Sequence, residues 1–347
     1  MAEQKNNVQY GGQAVIEGVM MRSPRFFAVA CRKMNREIVV QQESVESLLR
    51  RFQWLNKPFL RGTLALIDAM VLGIKSLMYS ANVAMEDIEN ANPKKQKGGQ
   101  GTVAGLFGVL KSIVLSSALF LVGTAGESEL KKKSTVNDIA IGGTLVLGLG
   151  LGVGLFVILP HIVIGLLEKT IKSSILLNLA EGIFRLALFV GYVAAISLMK
   201  DIRRVFEYHG AEHKVINTFE AGLELTPENF AKHGTIHQRC GTSFILLVLV
   251  LSIFLFAFLG WHHIWYLRII SRLALLPVLA GLAYEAIRYA GRHKDSKVVN
   301  FFLAPGLLLQ KLTTRQPSDD QVEVALKALE AVLDKERESG SPVPQAA

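Results

Sequence analysis

Glu207-Tyr208-His209-Gly210-Ala211-Glu212-His213-Lys214 lies at the centre of a polar stretch, residues 201–244, bounded on both sides by strongly apolar runs. The stretch continues through Glu220, His233, His237, Arg239, Cys240 and Gly241, so it holds four of the eight histidines and one of the two cysteines. A ligand-rich polar segment between apolar runs reads as a connection between membrane helices and is the first place to look for chemistry. On a helix, His209 and His213 stand one turn apart on one face, with Glu212 one position round from His213.

Working outward, residues 139–167, 175–199, 243–260 and 264–287 are each long enough to span a hydrocarbon core of about 30 Å at about 1.5 Å per residue. Residues 103–123, with Lys111 in their first half, are a fifth candidate, read as re-entrant or interfacial. Half of the chain is hydrophobic (50%) and the mean hydropathy is +0.34. Bunched into long runs, that composition excludes an ordinary soluble enzyme and predicts a polytopic α-helical membrane protein with about four transmembrane helices. The alternating glycines Gly148, Gly150, Gly152 and Gly154 sit inside an apolar run and fail the GxGxxG spacing, so they predict close helix packing and not a nucleotide site.

The formal charge is +9. In such a chain basic residues mark cytoplasmic segments and meet anionic lipid headgroups, so membrane lipids are the expected partners; no aromatic-interleaved basic motif argues for nucleic acid. The 200–242 loop carries six Lys or Arg, whereas connections 168–174 and 261–263 carry only Lys169 and Lys172. The loop and both termini are therefore expected on the cytoplasmic side of the inner membrane. Cys31 and Cys240 are too few for a disulfide framework, which fits a reducing compartment. The first 30 residues lack the apolar core of a signal peptide, so the N-terminus is expected to be retained.

Residues 1–100 read as a cytoplasmic unit. Gly11 and Gly12 open a turn, residues 13–21 have strand-like content, and residues 26–32 and 37–45 are two further strands about the Lys33–Arg36 turn, together a small β unit. Leu60, Leu64, Ile67, Val71, Ile74 and Met78 recur at helical spacing as one apolar stripe, and Arg61, Asp68 and Lys75 interrupt it too often for a comfortable crossing. A linker follows over 90–101. After the last crossing, residues 288–338 are expected in the cytoplasm, ending in an amphipathic helix over 318–338 capped by Ser318 or Asp319; 339–347 reads as a disordered tail. A homo-oligomer, or a protein partner docking on the N-terminal unit, is compatible with this organisation.

The chemistry centres on His209, His213, His237 and Cys240, whose N and S donors suit Zn²⁺. The alternative is that these histidines are interfacial hydrogen-bonding residues. Closed on four ligands, such a site would only brace the loop; with a position vacant, Glu212 or Glu207 would act as general base. His209-x-x-Glu212-His213 also matches the H-x-x-E-H pattern of inverted zinc peptidases, but five-residue patterns recur by chance. His233, between Lys232 and Gly234, is the weaker ligand. At membrane depth, Glu181 and Arg185 on one crossing and Arg268 and Arg272 on another are either functional or a helix-clamping ion pair, with Glu181 pairing to Arg272. Glu285 is a further candidate partner of the loop. Gln13 and Glu17 share a face if their strand is regular, and Glu17 either decorates an edge or completes the site.

Gly12-Gln-Ala-Val-Ile-Glu-Gly-Val-Met-Met-Arg22, Leu177-Asn-Leu-Ala-Glu-Gly-Ile-Phe-Arg185, Tyr208-His-Gly-Ala-Glu-His-Lys214, Arg239-Cys-Gly-Thr-Ser-Phe244 and Leu309-Gln-Lys-Leu-Thr-Thr-Arg315 resemble, in order and over nearly the whole chain, the YqhQ-like bacterial membrane proteins, the family of domain of unknown function 1385. The resemblance implies that family's label of predicted metal-dependent enzymes. It names no reaction. The expectations are a metal-dependent hydrolase with a zinc site on the cytoplasmic face; a transporter or channel using Glu181, Arg185, Arg268 and Arg272; or a non-catalytic scaffold with a structural metal.

Overall fold

The computed structural model describes residues 10–45, 47, 54, 56–91, 150–258, 264–293 and 296–340. The fifth candidate crossing over 103–123, most of the 90–101 linker and all but the start of the C-terminal tail lie outside them. Four strands come first, β1 (Gly11–Val15), β2 (Gly18–Arg22), β3 (Phe26–Arg32) and β4 (Ile38–Ser44), forming an antiparallel meander in the order β1-β2-β3-β4. Residues 13–21, which read as one strand, are a hairpin: Val15 pairs with Gly18, and the chain reverses at Ile16 and Glu17, where Glu17 takes a φ of +50°. Gln13 and Glu17 therefore share no strand face.

Period-two alternation covers this sheet on both sides. Ala14, Val19, Met21, Ala28 and Ala30 face one core; Val15, Met20, Phe27, Val29 and Cys31 face the other. The second layer is supplied by α1 (Leu60–Ala91), whose Leu72 and Val83 pack on the Val15 face. Ile16 N–H donates to Ser80 Oγ at 3.3 Å and Met34 N–H to Asp87 Oδ2 at 2.8 Å, so the second half of α1 runs along the sheet. The face that α1 buries is Asp68, Leu72, Ser76 and Ser80, while the stripe from Leu64 to Met78 is only half-buried. Apolar periodicity marked the wrong face because small hydroxyl residues are what allow close approach to the sheet.

Helices α2 (Gly150–Lys169) and α3 (Ser174–Ile196) follow, then α4 (Lys200–Glu220), the short α5 (Pro227–Lys232), α6 (Gly241–Ala257), α7 (Trp265–Arg292), α8 (Lys297–Thr313) and α9 (Asp319–Glu338). Four helices among the described residues are long and apolar enough to cross a membrane: Leu60–Asp87, Gly150–Lys169, Ser174–Ile196 and Tyr266–Gly291. The number matches the sequence expectation, but the membership differs: α1 reaches the required length, and α6 ends at Ala257, short of the roughly 20 residues of a full span. The apolar helix α8, with Pro305 inside it, has no counterpart in the sequence reading.

The sheet's other face packs on α4 and α9, with Ala211, Val215, Ala325, Leu329 and Val332 in one core. Ser318 and Gln321 close a capping box at the start of α9, with Asp319 and Asp320 in its first turn and Lys335 and Arg337 in its last, matching the helix dipole at both ends. Near its end the buried Glu336 accepts from Ser23 Oγ at 2.6 Å and pairs with Arg25. One unit is thus assembled from the N-terminal sheet, the central polar segment and the C-terminal helix.

Candidate metal centre

On α4, everything from Tyr208 to Phe219 except His209 and Asn217 is buried or nearly so, packed between β1 and α9. His209 and His213 lie one turn apart as the spacing predicts, their ring centroids 4.4 Å apart. Cys240, immediately before α6, brings its Sγ to 3.3 Å from His209 Nε2. One donor atom each from His209, His213 and Cys240 lies within 4.8 Å of the other two.

The imidazoles are held in one tautomer. His209 Nδ1 is 2.8 Å from the Thr313 carbonyl and His213 Nδ1 is 2.6 Å from the Thr235 carbonyl. A carbonyl only accepts, so each Nδ1 carries the hydrogen, and each Nε2 keeps its lone pair. This is the arrangement in which a backbone carbonyl orients a metal-ligating histidine. Its local cause is visible in Gly210: a Cβ there would overlap the Arg315 carbonyl oxygen, so glycine alone lets the 313–315 segment run against α4. Arg315 N–H then donates to the Phe206 carbonyl at 2.9 Å, which places Thr313 over His209. Asn217 Nδ2 donates to the carbonyls of Gly234 and Ile236, both at 3.1 Å, and so fixes Thr235 between them.

Glu212 is 4% exposed, with Oε2 3.4 Å from His213 Nε2. Burial raises its pKa, opposed by the neighbouring His209 and His237 and by the Gly12 N–H, which donates to it. A Cβ at Gly12 would come within 2.6 Å of Glu212 Cγ, so the first strand reaches the site through a glycine. Burial likewise lowers the pKa of His213, with the Cys240 contact opposing and His209 reinforcing the shift.

The other predicted residues fall elsewhere. His237 stands beside the three-donor set: its ring is 5.6 Å from that of His213, and its Nε2 is 3.6 Å from Glu220 Oε2. Gln310 clamps its backbone, accepting from His237 N–H at 2.9 Å and donating to its carbonyl at 2.8 Å. His237, Glu220, Arg239 and Asn217 line a cavity of about 160 Å³ on that side. Glu207 is outside the site, because two residues before His209 is about 200° round the helix. It accepts from Gln321 Nε2 at 3.1 Å and lies 3.6 Å from Arg203. Glu17 does not complete the site: its carboxylate pairs with Arg204 and accepts from Tyr208 Oη at 3.3 Å. Glu285 serves as a bidentate partner of Arg61, both contacts at 2.6 Å, joining α7 to the start of α1.

At membrane depth, Glu181 pairs with Arg272, as the sequence suggested, and accepts from Arg185 at 2.8 Å. Arg272 also donates to Asn178 at 2.9 Å and lies over the Phe256 ring, and Arg268 is 3.2 Å from His161 Nδ1. These contacts tie α2, α3 and α7 together as a clamp. Sequence reasoning gave no role to Gly12, Gly210, Thr235 and Thr313, which act through backbone atoms, or to Gln310; all but Thr235 lie in the quoted family motifs, which were their signal.

The molecule is thus a polytopic helical membrane protein in which a His/Cys donor cluster sits where the membrane helices meet a sheet-containing unit. The family model described as "Protein of unknown function (DUF1385)" matches residues 57–335, and the chain belongs to that family. It is 30% identical over 338 residues, 96% of this chain and 95% of the relative, to "Uncharacterized protein YqhQ" of Bacillus subtilis strain 168. No solved structure matches.

Proposed function

We propose that the chain is a metal-dependent hydrolase of the inner membrane, in which His209, His213 and Cys240 hold a divalent cation and Glu212 handles the proton. The observation that carries this is the spending of both Nδ1 hydrogens on backbone carbonyls, which leaves two Nε2 lone pairs converging with one thiol. Two imidazoles and a thiolate favour Zn²⁺ over the oxygen-seeking Mg²⁺ and Ca²⁺. Three protein donors are the count of catalytic zinc sites, whereas purely structural sites close on four, which favours hydrolase over scaffold. Bound there, zinc would supply a Lewis acid and lower the pKa of water.

The chain's own residues do the rest. Glu212, its pKa raised by burial, is a better proton acceptor than an exposed carboxylate; it takes a proton from water and returns it to the leaving group as the scissile bond breaks. His209 and His213 keep their Nδ1 hydrogens throughout. Sheet, α4 and α9 form one unit, and the six basic residues of 200–242 favour the cytoplasmic side for it. Cobalt(II) added to the full chain in detergent tests the site: thiolate-to-metal absorption is expected in the parent and in Glu212→Gln and is lost in Cys240→Ser. A parent protein without that absorption overturns the proposal.

A further inference from the structure

Cys240 Sγ has two polar neighbours. One is His209 Nε2 at 3.3 Å, already placed in the donor cluster; the other is Thr242 Oγ1 at 3.1 Å. Thr242 Oγ1 in turn accepts from the Thr313 hydroxyl at 3.4 Å. That hydroxyl has a second acceptor in its own helix, the Leu309 carbonyl at 3.5 Å, so the outer link is the weaker of the two. Cys240 is the residue before α6, Thr242 is the second residue of α6 and Thr313 is the last of α8.

Packing between the two helices fixes this meeting. Gly306, Gln310 and Thr313 fall at intervals of four and three, one face of α8, and all three are buried. A Cβ on Gly306 would come within 2.9 Å of the Ser243 Cβ, and Gln310 Nε2 donates to Ser243 Oγ at 2.7 Å, so that face is seated on the first turn of α6. One turn further along α8, Thr313 reaches Thr242. The Cys240 side chain makes no capping hydrogen bond to α6, which leaves its sulfur turned to His209 and Thr242.

A thiol held against an imidazole serves in one of two ways. As a nucleophile it gives up its proton and attacks carbon, and a further O–H donor on the sulfur would blunt it. As a metal ligand it stays a thiolate with lone pairs to spare, and a donor aimed at them stabilises it. A thiolate carries no hydrogen, so Thr242 must then donate to Sγ while its oxygen accepts from Thr313, and both hydroxyl hydrogens run in one direction toward the sulfur.

We infer that Thr242 is a positioning residue of the metal centre: its hydroxyl, polarised by Thr313, hydrogen-bonds the Cys240 thiolate, holds that sulfur as a ligand and draws charge from it. This rests on the metal reading of His209, His213 and Cys240, and it assigns Cys240 to ligation and not to nucleophilic attack. Thr313 then serves the site twice, through its carbonyl on His209 and through its hydroxyl on Thr242.

Cobalt(II) loaded into the full chain in detergent reads the sulfur directly, because a donor that stabilises the thiolate lone pairs raises the energy of thiolate-to-metal absorption. Thr242→Val keeps the branched shape and removes the hydroxyl; it is expected to bind cobalt at the parent stoichiometry with the band moved to longer wavelength. Thr242→Ser restores the parent position. Thr313→Val, which keeps the carbonyl on His209, moves the band the same way by less. Zinc affinity, measured by chelator competition, falls about tenfold in Thr242→Val, the size of effect expected for an outer partner of a metal ligand. Thr242→Ala carries the same expectations should the valine variant fail to fold. A parent band left unmoved by removal of the hydroxyl, or moved but not restored by serine, would overturn the assignment of Thr242 and leave the metal site standing. A parent without the band would remove the metal reading, and this assignment with it.

Discussion

Glu181→Gln is expected to be the most destabilising single change within the membrane helices. Glu181 has a side chain 2% exposed and is shared by two guanidinium groups, from Arg185 on its own helix and Arg272 on α7, themselves 14% and 12% exposed. Removing its charge leaves both cations buried beside Arg268, so the cost is that of breaking a buried pair, about 3–5 kcal/mol. Arg272→Gln is milder, because Glu181 keeps Arg185 while the contacts to Glu181, Asn178 and the Phe256 ring are lost; about 1.5–3 kcal/mol follows from losing hydrogen bonds to a charged group. The double variant no longer strands Arg272 without its carboxylate, so it should fall short of the sum by about 1–3 kcal/mol. Denaturant unfolding of the full chain in mixed micelles, followed by helical circular dichroism, reads all four corners of the cycle. Additivity within about 0.5 kcal/mol would refute the clamp.

Protonation of His213 should begin to compete with the metal only below pH 6.5. Burial depresses the folded pKa of His213 from its ordinary 6.5, so the neutral, ligating form persists below that value in the folded chain. By the same sign, the metal-free fold loses stability below pH 6.5, where the unfolded chain takes up the proton first; melting curves against pH would show this slope, and His213→Asn would flatten it. Gly12→Ala, whose Cβ would come within 2.6 Å of both Glu212 Cγ and the Met20 carbonyl, should cost about 1–3 kcal/mol and retain zinc, since no donor is touched. Glu207→Gln should retain zinc and cost under about 1 kcal/mol, its partners being a part-exposed arginine and an amide; a loss of metal there would return Glu207 to the site.

What the sequence made legible was whatever a repeat or spacing encodes. The α3, α6 and α7 runs, the His209/His213 turn, the Ser318 cap and the Glu181–Arg272 pairing follow from periodicity, capping chemistry and the cost of an isolated charge in lipid. Four ligands were expected where three converge, because His237 and Cys240 are close in sequence but the His237 backbone is held by Gln310, 73 residues away. Glu207 looked equivalent to Glu212 until the helix phase put it on α9. Glu17 was misread with its strand: a two-residue reversal without glycine gives no turn signal, and the hairpin sends it to Arg204. Helix α8 escaped notice since Pro305 and Gly306 mimic a break, whereas in place Gly306 is where α6 crosses.

The central claim is that two imidazole nitrogens and one thiol share a single cation. Elemental mass spectrometry of the full chain, purified in detergent without chelator, should find about one zinc per chain, falling at least about tenfold in His209→Ala, His213→Ala and Cys240→Ala but not in Glu207→Gln. Absence of stoichiometric metal from the parent, or metal that survives all three alanine substitutions, would contradict it.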